Sequence, residues 1–269
     1  MTLPLSEENL TQACDDFAQH GFVLLPGVFR DFVEPLRAAM AENQARPSWR
    51  QRTYQPEGDA APFFQDYVVW DQFAGYEALV RSSGMAELAA RLMRSQTARL
   101  FHDHVLLKFP GTSVATPWHQ DAPYYLVEGP KTCSFWVACD PVPQGRSIEY
   151  VAGSHLWGTQ FKPQRFDGTD LVANDGRPAV PDIAANRAAY DIRGFEIAPG
   201  DAIAFDFRIL HGAPANTSRT PRRVISVRWV GDGAVFRARP GPVSPAFPEV
   251  EYADGQPFDH PQFPLIYGA

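Results

Sequence analysis

Three side chains in this 269-residue chain have the types and spacing to hold a metal ion. His119 and Asp121 lie in Thr116-Pro117-Trp118-His119-Gln120-Asp121, and His211 lies far downstream in Ile209-Leu210-His211-Gly212. Two imidazoles and one carboxylate are the donor set of a mononuclear non-haem Fe(II) centre, which leaves positions of an octahedron open for a cosubstrate and dioxygen. Two residues apart on extended chain, His119 and Asp121 project to the same side. A histidine from a distant strand then completes the set. The other histidines have ordinary readings: His20 at a helix end, His102 and His104 in a strand, His155 after a turn, and His260 in the tail. A His-x-Asp pair by itself is a weak signal; its neighbours strengthen it.

The elements that must position these groups follow from the periodicity. Ser6 can cap a helix running to about His20, with Leu10, Cys14 and Phe17 at helical spacing and Gly21 as its stop. Phe22–Leu25 reads as a short buried strand, and a second helix follows from about Arg30 to Gln44. The region 45–66 is a loop, with a strand predicted at Tyr67–Trp70 and helices at about 75–82 and 85–94. From residue 98 the period becomes extended. Leu100–Phe109, Thr132–Ala138, Ile148–Val151, Phe195–Ile197, Ala202–Phe207 and Val224–Val230 are predicted strands separated by Gly and Pro turns. Helices followed by many short strands predict a mainly β protein with flanking helices, a jelly-roll barrel. We read one domain over 1–269: a helical part about 6–95, the jelly-roll core about 98–235, and an extended C-terminal wrap over 236–269.

Composition narrows the function class. Hydrophobic residues make up 45% and charged residues 20%, as in ordinary globular proteins. A net charge of −7 argues against a general binder of nucleic acid or anionic membranes. Cys14, Cys133 and Cys139 are odd in number and widely spread, which fits neither a disulfide framework nor a zinc motif and suits a reducing compartment. The N-terminus carries no signal-peptide pattern, and no apolar run is long enough to span a membrane. A cytoplasmic protein acting on a small molecule is the expectation, with oligomeric state open.

The wider motif set resembles one family. Lys108-Phe109-Pro110-Gly111, the box Thr116–Asp121, Phe135-Trp136-Val137-Ala138-Cys139-Asp140 and Val151-Ala152-Gly153-Ser154-His155 are similar to the phytanoyl-CoA dioxygenase (PhyH) family. So are Gly200-Asp201-Ala202-Ile203, Leu210-His211-Gly212, and Asn216-x-Ser218 leading to Pro221-Arg222-Arg223. The resemblance covers about residues 10–265. It implies a double-stranded β-helix (jelly-roll) oxygenase that uses Fe(II), 2-oxoglutarate and O2, with His119, Asp121 and His211 as iron ligands. It further implies that Arg222 binds the cosubstrate and that Lys108 and Trp136 line the same pocket. Chemistry agrees: the 5-carboxylate of 2-oxoglutarate, buried away from water, needs a permanently charged bidentate partner, which arginine supplies. Arg223, next along the strand, should point the other way. Where the family commonly has Glu-Asn-Gly, this chain reads Pro143-Gln144-Gly145-Arg146-Ser147, a departure outside the metal set that bears on the substrate.

The expected activity is oxidation of a small molecule, most simply hydroxylation, with succinate and CO2 as co-products and secondary-metabolite tailoring as one setting. Two alternatives stay open: a cupin-like metalloenzyme without 2-oxoglutarate, and a catalytically silent small-molecule-binding protein on the same fold. At the substrate side, Arg228 shares the strand face of Arg222. It can meet an anionic or carbonyl group of the substrate, or make a structural ion pair. His104 and Gln120 are further substrate candidates. Residues 157–194, with Trp157, Phe161, Phe166 and Tyr190, have the composition of a mobile lid, facing a loop at 45–66 across the mouth.

Overall fold

The structure, a computed structural model, describes residues 5–165, 168–172 and 175–268. In chain order its elements are α1 (Glu7–His20), β1 (Phe22–Leu25), α2 (Val33–Ala45), β2 (Arg52–Tyr54), β3 (Phe63–Tyr67), α3 (Ala74–Ser82), α4 (Met85–Leu92), β4 (Ala98–Lys108) and β5 (Thr116–His119). They continue with β6 (Val127–Glu128), β7 (Thr132–Ala138), β8 (Glu149–Val151), β9 (Ile192–Gly194), β10 (Ala202–Phe205), β11 (His211–Ala213), β12 (Arg222–Val230), β13 (Val235–Phe236) and β14 (Leu265–Tyr267). None of the described helices is long and apolar enough to cross a membrane.

Local chemistry sets the entry to the fold. The Ser6 hydroxyl accepts from the Asn9 amide at 3.3 Å, satisfying one of the free donors at the start of α1. Gly21 ends the helix at φ 83°, where its amide still reaches the Phe17 carbonyl at 2.9 Å. The chain can then turn at once into β1.

One large antiparallel sheet forms one wall of the site. Its strand order is β1-β10-β7-β12-β4-β3-β2, with β14 also paired to β4. β12 lies between β4 and β7, and its register sets everything that follows: Arg222 faces Lys108, Val224 faces Leu106, Ser226 faces His104 and Arg228 faces His102. Side chains alternate across a strand, so the intervening Ile225 and Val227, with Val105, Leu107, Phe135 and Val137, pack on the helices. There they meet Leu10, Phe17, Leu36, Leu79, Leu88 and Leu92 in one buried cluster. Each such side chain contributes about 1.5–3 kcal/mol on burial. The opposite face packs Trp136, Ile203, Phe205 and Val224 against Ile148, Tyr150 and Ile209. These last belong to or flank a second, four-stranded sheet of order β5-β11-β8-β9. With both faces covered, β1, β7 and β10 read as mostly apolar runs, whereas β4 and β12 interleave charged and polar residues with apolar ones.

The jelly-roll barrel, or double-stranded β-helix, is not what forms. The chain is a mixed α and β fold of several open antiparallel sheets, and none of them closes. The large sheet ends on β1 at one side and β2 at the other, and among the described residues no strand pair links it to the second sheet. The physical reason lies in the second sheet, whose strands run only three or four residues. Isolated bridges such as Val142–Ile197 and Thr112–Asn216 occur outside the named strands, but among the described residues no continuous ladder joins the two layers. Side chains, not backbone, fill the space between them. Two strand positions also move. The strand expected at Tyr67–Trp70 is β3, at Phe63–Tyr67, and ends where Val68 takes a φ of 56°. The one expected at Phe195–Ile197 is β9, at Ile192–Gly194.

The C-terminal segment is ordered by aromatic packing. Phe236, Phe247, Phe258 and Phe263 cluster around Phe101, and β14 adds to β4. Described residues of 157–194 pack as well: Phe161 and Ile183 are buried with Val151 and Leu210. Phe166, counted among its aromatics, lies outside the described residues.

Candidate metal centre

The pairing of β5 with β11 sets His119 directly opposite His211. Their ring centroids are 4.2 Å apart. Asp121 does not continue the strand, as two-residue spacing had suggested. It adopts helical angles (φ −72°, ψ −41°) at the start of a short 3-10 turn over Ala122–Tyr124, and this turn swings its carboxylate back to the histidines. Oδ1 of Asp121 lies 3.6 Å from Nε2 of His119 and 3.9 Å from Nε2 of His211. One ligand atom from each of the three can be chosen so that all lie within 4.8 Å of one another.

Backbone carbonyls fix both imidazoles. His119 Nδ1–H donates to Pro117 at 2.8 Å, and His211 Nδ1–H donates to Ile209 at 3.1 Å. Since a carbonyl can only accept, both Nε2 lone pairs are left free toward the common centre. Burial first, and His119 second, bring the His211 pKa down to about 3, which keeps that ring neutral and ready to ligate. Burial works to raise the Asp121 carboxyl, yet Arg228 and the two histidines hold it well below the usual carboxylate range. The Asp121 Oδ2 is ion-paired to Arg228 at 3.3 Å and accepts from the Ser134 hydroxyl at 3.4 Å. Oδ1 is therefore the oxygen turned to the histidines. The Nε2 atoms of His119 and His211 and an ionised Asp121 carboxylate, aimed at one point, fit a divalent iron.

The triad opens on a cavity of about 1030 Å³, counted with the open solvent at its mouth. The β12 register gives this cavity two ends, separated by roughly 20 Å of strand between Arg222 and Arg228. At one end Arg222 and Lys108 face each other, with Trp136, Ile148, Val224 and Thr116 as walls. Arg222 donates to the carbonyls of Arg146 and of Pro214, the latter at 3.0 Å. Lys108 donates to the Thr116 hydroxyl at 3.1 Å and lies over the Phe63 ring at 4.6 Å. Among the described residues no carboxylate lies within ion-pair distance of either cation. Burial, with Arg146 behind it, brings the Arg222 pKa down to about 10. Burial, then Arg222, pushes the Lys108 ammonium well below its ordinary value. Two buried cations without a counter-ion are costly unless an anion joins them. Arg223 points to the opposite face and pairs with Asp140 at 2.6 Å.

The other end is polar and aromatic. Arg228, Tyr67, His102, His104, Tyr124 and Tyr125 line it. Arg228 takes the ion-pair role through Asp121 and also donates to the Tyr125 hydroxyl. His104 lines the cavity, whereas Gln120 turns away from it. The Gln120 side chain donates to the carbonyls of Thr159 and Arg208 at 3.0 and 2.8 Å and accepts from the Phe161 amide at 3.0 Å. It ties the segment after 157 to the metal turn. Tyr67, His102, Tyr124 and Tyr125 also line the cavity, and Ser134 supports Asp121, although the motifs in the sequence point to none of them. His102 was legible by parity with His104, while the tyrosines and Ser134 carried no motif of their own.

Comparison with known proteins agrees with this geometry. A family model described as "Phytanoyl-CoA dioxygenase (PhyH)" matches residues 17–224. A methylphosphonate hydroxylase from Gimesia maris is 24% identical over 225 residues, covering 80% of this chain and 78% of that protein. Among solved structures, the epimerase SnoN, in complex with Fe3+, alpha ketoglutarate and nogalamycin RO, superposes with a TM-score of 0.77 at 22% identity, covering 97% of this chain and 100% of that one. The alpha ketoglutarate dependent carbocyclase SnoK from nogalamycin biosynthesis gives 0.75 at 24% identity, covering 98% and 97%. EctD from S. alaskensis gives 0.67 at 19%, covering 94% and 89%. At these identities the structural likeness is one of fold.

Proposed function

This chain belongs to the phytanoyl-CoA dioxygenase (PhyH) family, and from that premise we infer that it is an Fe(II)- and 2-oxoglutarate-dependent oxygenase acting on a small molecule. In this reading His119, Asp121 and His211 hold the iron by one face. Arg222, with Lys108 beside it, holds the far carboxylate of 2-oxoglutarate. The observation that carries the reading is that pair of buried basic side chains, with no carboxylate partner among the described residues, facing the same cavity as the triad. A metalloenzyme that used no diacid would have no need of them.

When bound, iron and 2-oxoglutarate activate dioxygen for oxidation of the substrate, with succinate and CO2 as co-products, and hydroxylation is the proposed outcome. The protein's residues do the rest. The carbonyls of Pro117 and Ile209 orient the two ligating rings. Arg228 and Ser134 occupy the second oxygen of Asp121, which favours attachment through one oxygen only. Trp136, Ile148, Val224 and Phe205 give dry walls that keep water from the reacting groups. Three unpaired cysteines suit a reducing compartment, and we place the protein in the cytoplasm.

Purified protein supplied with Fe(II), 2-oxoglutarate and O2 should form succinate, and should cease to when either iron or 2-oxoglutarate is withheld. Succinate formation that ignores both omissions, or none under full supply, would overturn the reading.

A further inference from the structure

Resting on the oxygenase reading above, we propose that the substrate is a neutral, hydroxyl-bearing molecule, and that His104 accepts a hydrogen bond from one of its hydroxyls. The Arg228 end of the cavity has its charges already matched. Arg228 is committed to Asp121 at 3.3 Å and to the Tyr125 hydroxyl. Beyond Lys108 and Arg222 at the far end, Asp121 and Arg228 are the only charged side chains lining the cavity among the described residues. An anion would find no uncommitted cation there, and an ammonium no uncommitted carboxylate, so either would be desolvated without compensation.

What the end does offer is acceptors. Nε2–H of His104 donates to Gln65 Oε1 at 2.8 Å, and that oxygen also takes the Tyr67 hydroxyl at 3.0 Å. The ring is stacked on Tyr67 with centroids 4.0 Å apart and planes at 21°, which fixes its orientation. The His104 Nδ1 is thereby an acceptor with no protein partner. The Nδ1–H of His102 donates to the Asp103 carbonyl at 3.0 Å, and its Nε2 is a second acceptor without a donor. The Ser226 hydroxyl, opposite His104 in the register, is also unpartnered. His102 Nε2 and the Ser226 hydroxyl are sealed off from the cavity, which leaves His104 Nδ1 as the acceptor within reach; an acceptor enclosed without a donor costs stability, and a substrate hydroxyl supplies that donor. The rings of Tyr67, Tyr124 and Tyr125 add flat apolar faces for its C–H surface.

The test uses wild-type holoenzyme with Fe(II) and 2-oxoglutarate and two sets of probes. Methyl glucoside, phenyl glucoside and inositol are neutral and hydroxylated; methylphosphonate and gluconate are anionic. Succinate formation should rise above its probe-free level with at least one neutral probe and stay at that level with both anions. For that neutral probe, His104→Leu should raise KM about tenfold with a smaller change in kcat, and His104→Gln, which restores an acceptor, should recover part of it. Stronger stimulation by either anion, no response to any neutral probe, or a His104→Leu variant with unchanged KM would overturn the proposal. Failure of the oxygenase reading looks different: Fe(II) and 2-oxoglutarate added anaerobically would give no visible charge-transfer band, whatever the probe.

Discussion

His211 serves the site through one nitrogen while its other nitrogen is held by the Ile209 carbonyl, and that division makes it a clean target. Replacing it with Ala removes one of three ligands, and the ring's neighbours, Phe205 and Tyr150, remain packed in their own cluster. His211→Ala should therefore stay folded, with its cooperative thermal transition retained, while succinate formation falls to the level of the metal-free enzyme. A variant that still turns over would remove His211 from the site. The triad was legible because donor type and spacing are properties of the chain. The partners of its members were not: Arg228 reaches Asp121 across the sheet at 3.3 Å, and nothing in the spacing of 121 and 228 encodes it. Gln120 misleads for the opposite reason. It lies between two ligands in sequence, yet its amide is taken up by the backbone of Thr159, Phe161 and Arg208.

At the level of elements, β12 decides which cations belong to the cavity. Its alternation sends Arg222 inward opposite Lys108 and Arg223 outward onto Asp140. Losing a charge-assisted contact to a buried carboxylate costs roughly 2–5 kcal/mol. Arg222→Ala should thus raise the KM for 2-oxoglutarate by about 30-fold or more, whereas Arg223→Ala should leave it near the wild-type value. Steady-state kinetics with 2-oxoglutarate varied checks this, and the reverse pattern would put the wrong face of β12 at the site. Alternation within β12, and the helices from α1 to α4, were readable from period alone. Strand ends were not, where the backbone rather than the side chains sets them. β3 stops because Val68 turns to positive φ, an event a β-branched residue gives no hint of in the sequence.

Across the whole molecule, the two layers enclose the site without a shared backbone ladder, and this is the feature that periodicity could not supply. Runs of Val, Ile, Phe and Trp announce strands but not which edges bond, and strands of three residues in β8, β9 and β11 leave the sheets open. Enclosure also has an acid cost. His102 and His104 are pushed well below their ordinary value, by burial and then by Arg228, and His211 to about 3. In the unfolded chain each takes a proton near pH 6.5. Below that pH the unfolded state binds more protons than the folded one, so stability falls as pH falls and is regained above it. Metal-free protein should show a melting temperature that drops as pH is lowered from about 7.5 to about 5.5; a flat profile would mean the three rings are not buried neutral. The central claim, one iron on His119, Asp121 and His211 with 2-oxoglutarate beside it and Arg222 at its far end, is tested most directly by anaerobic titration. Fe(II) and 2-oxoglutarate added to wild-type protein should give a weak visible charge-transfer band that saturates at one iron per chain, and that needs much more 2-oxoglutarate in Arg222→Ala. No band in the wild-type protein, or an equal band in His211→Ala, would contradict it.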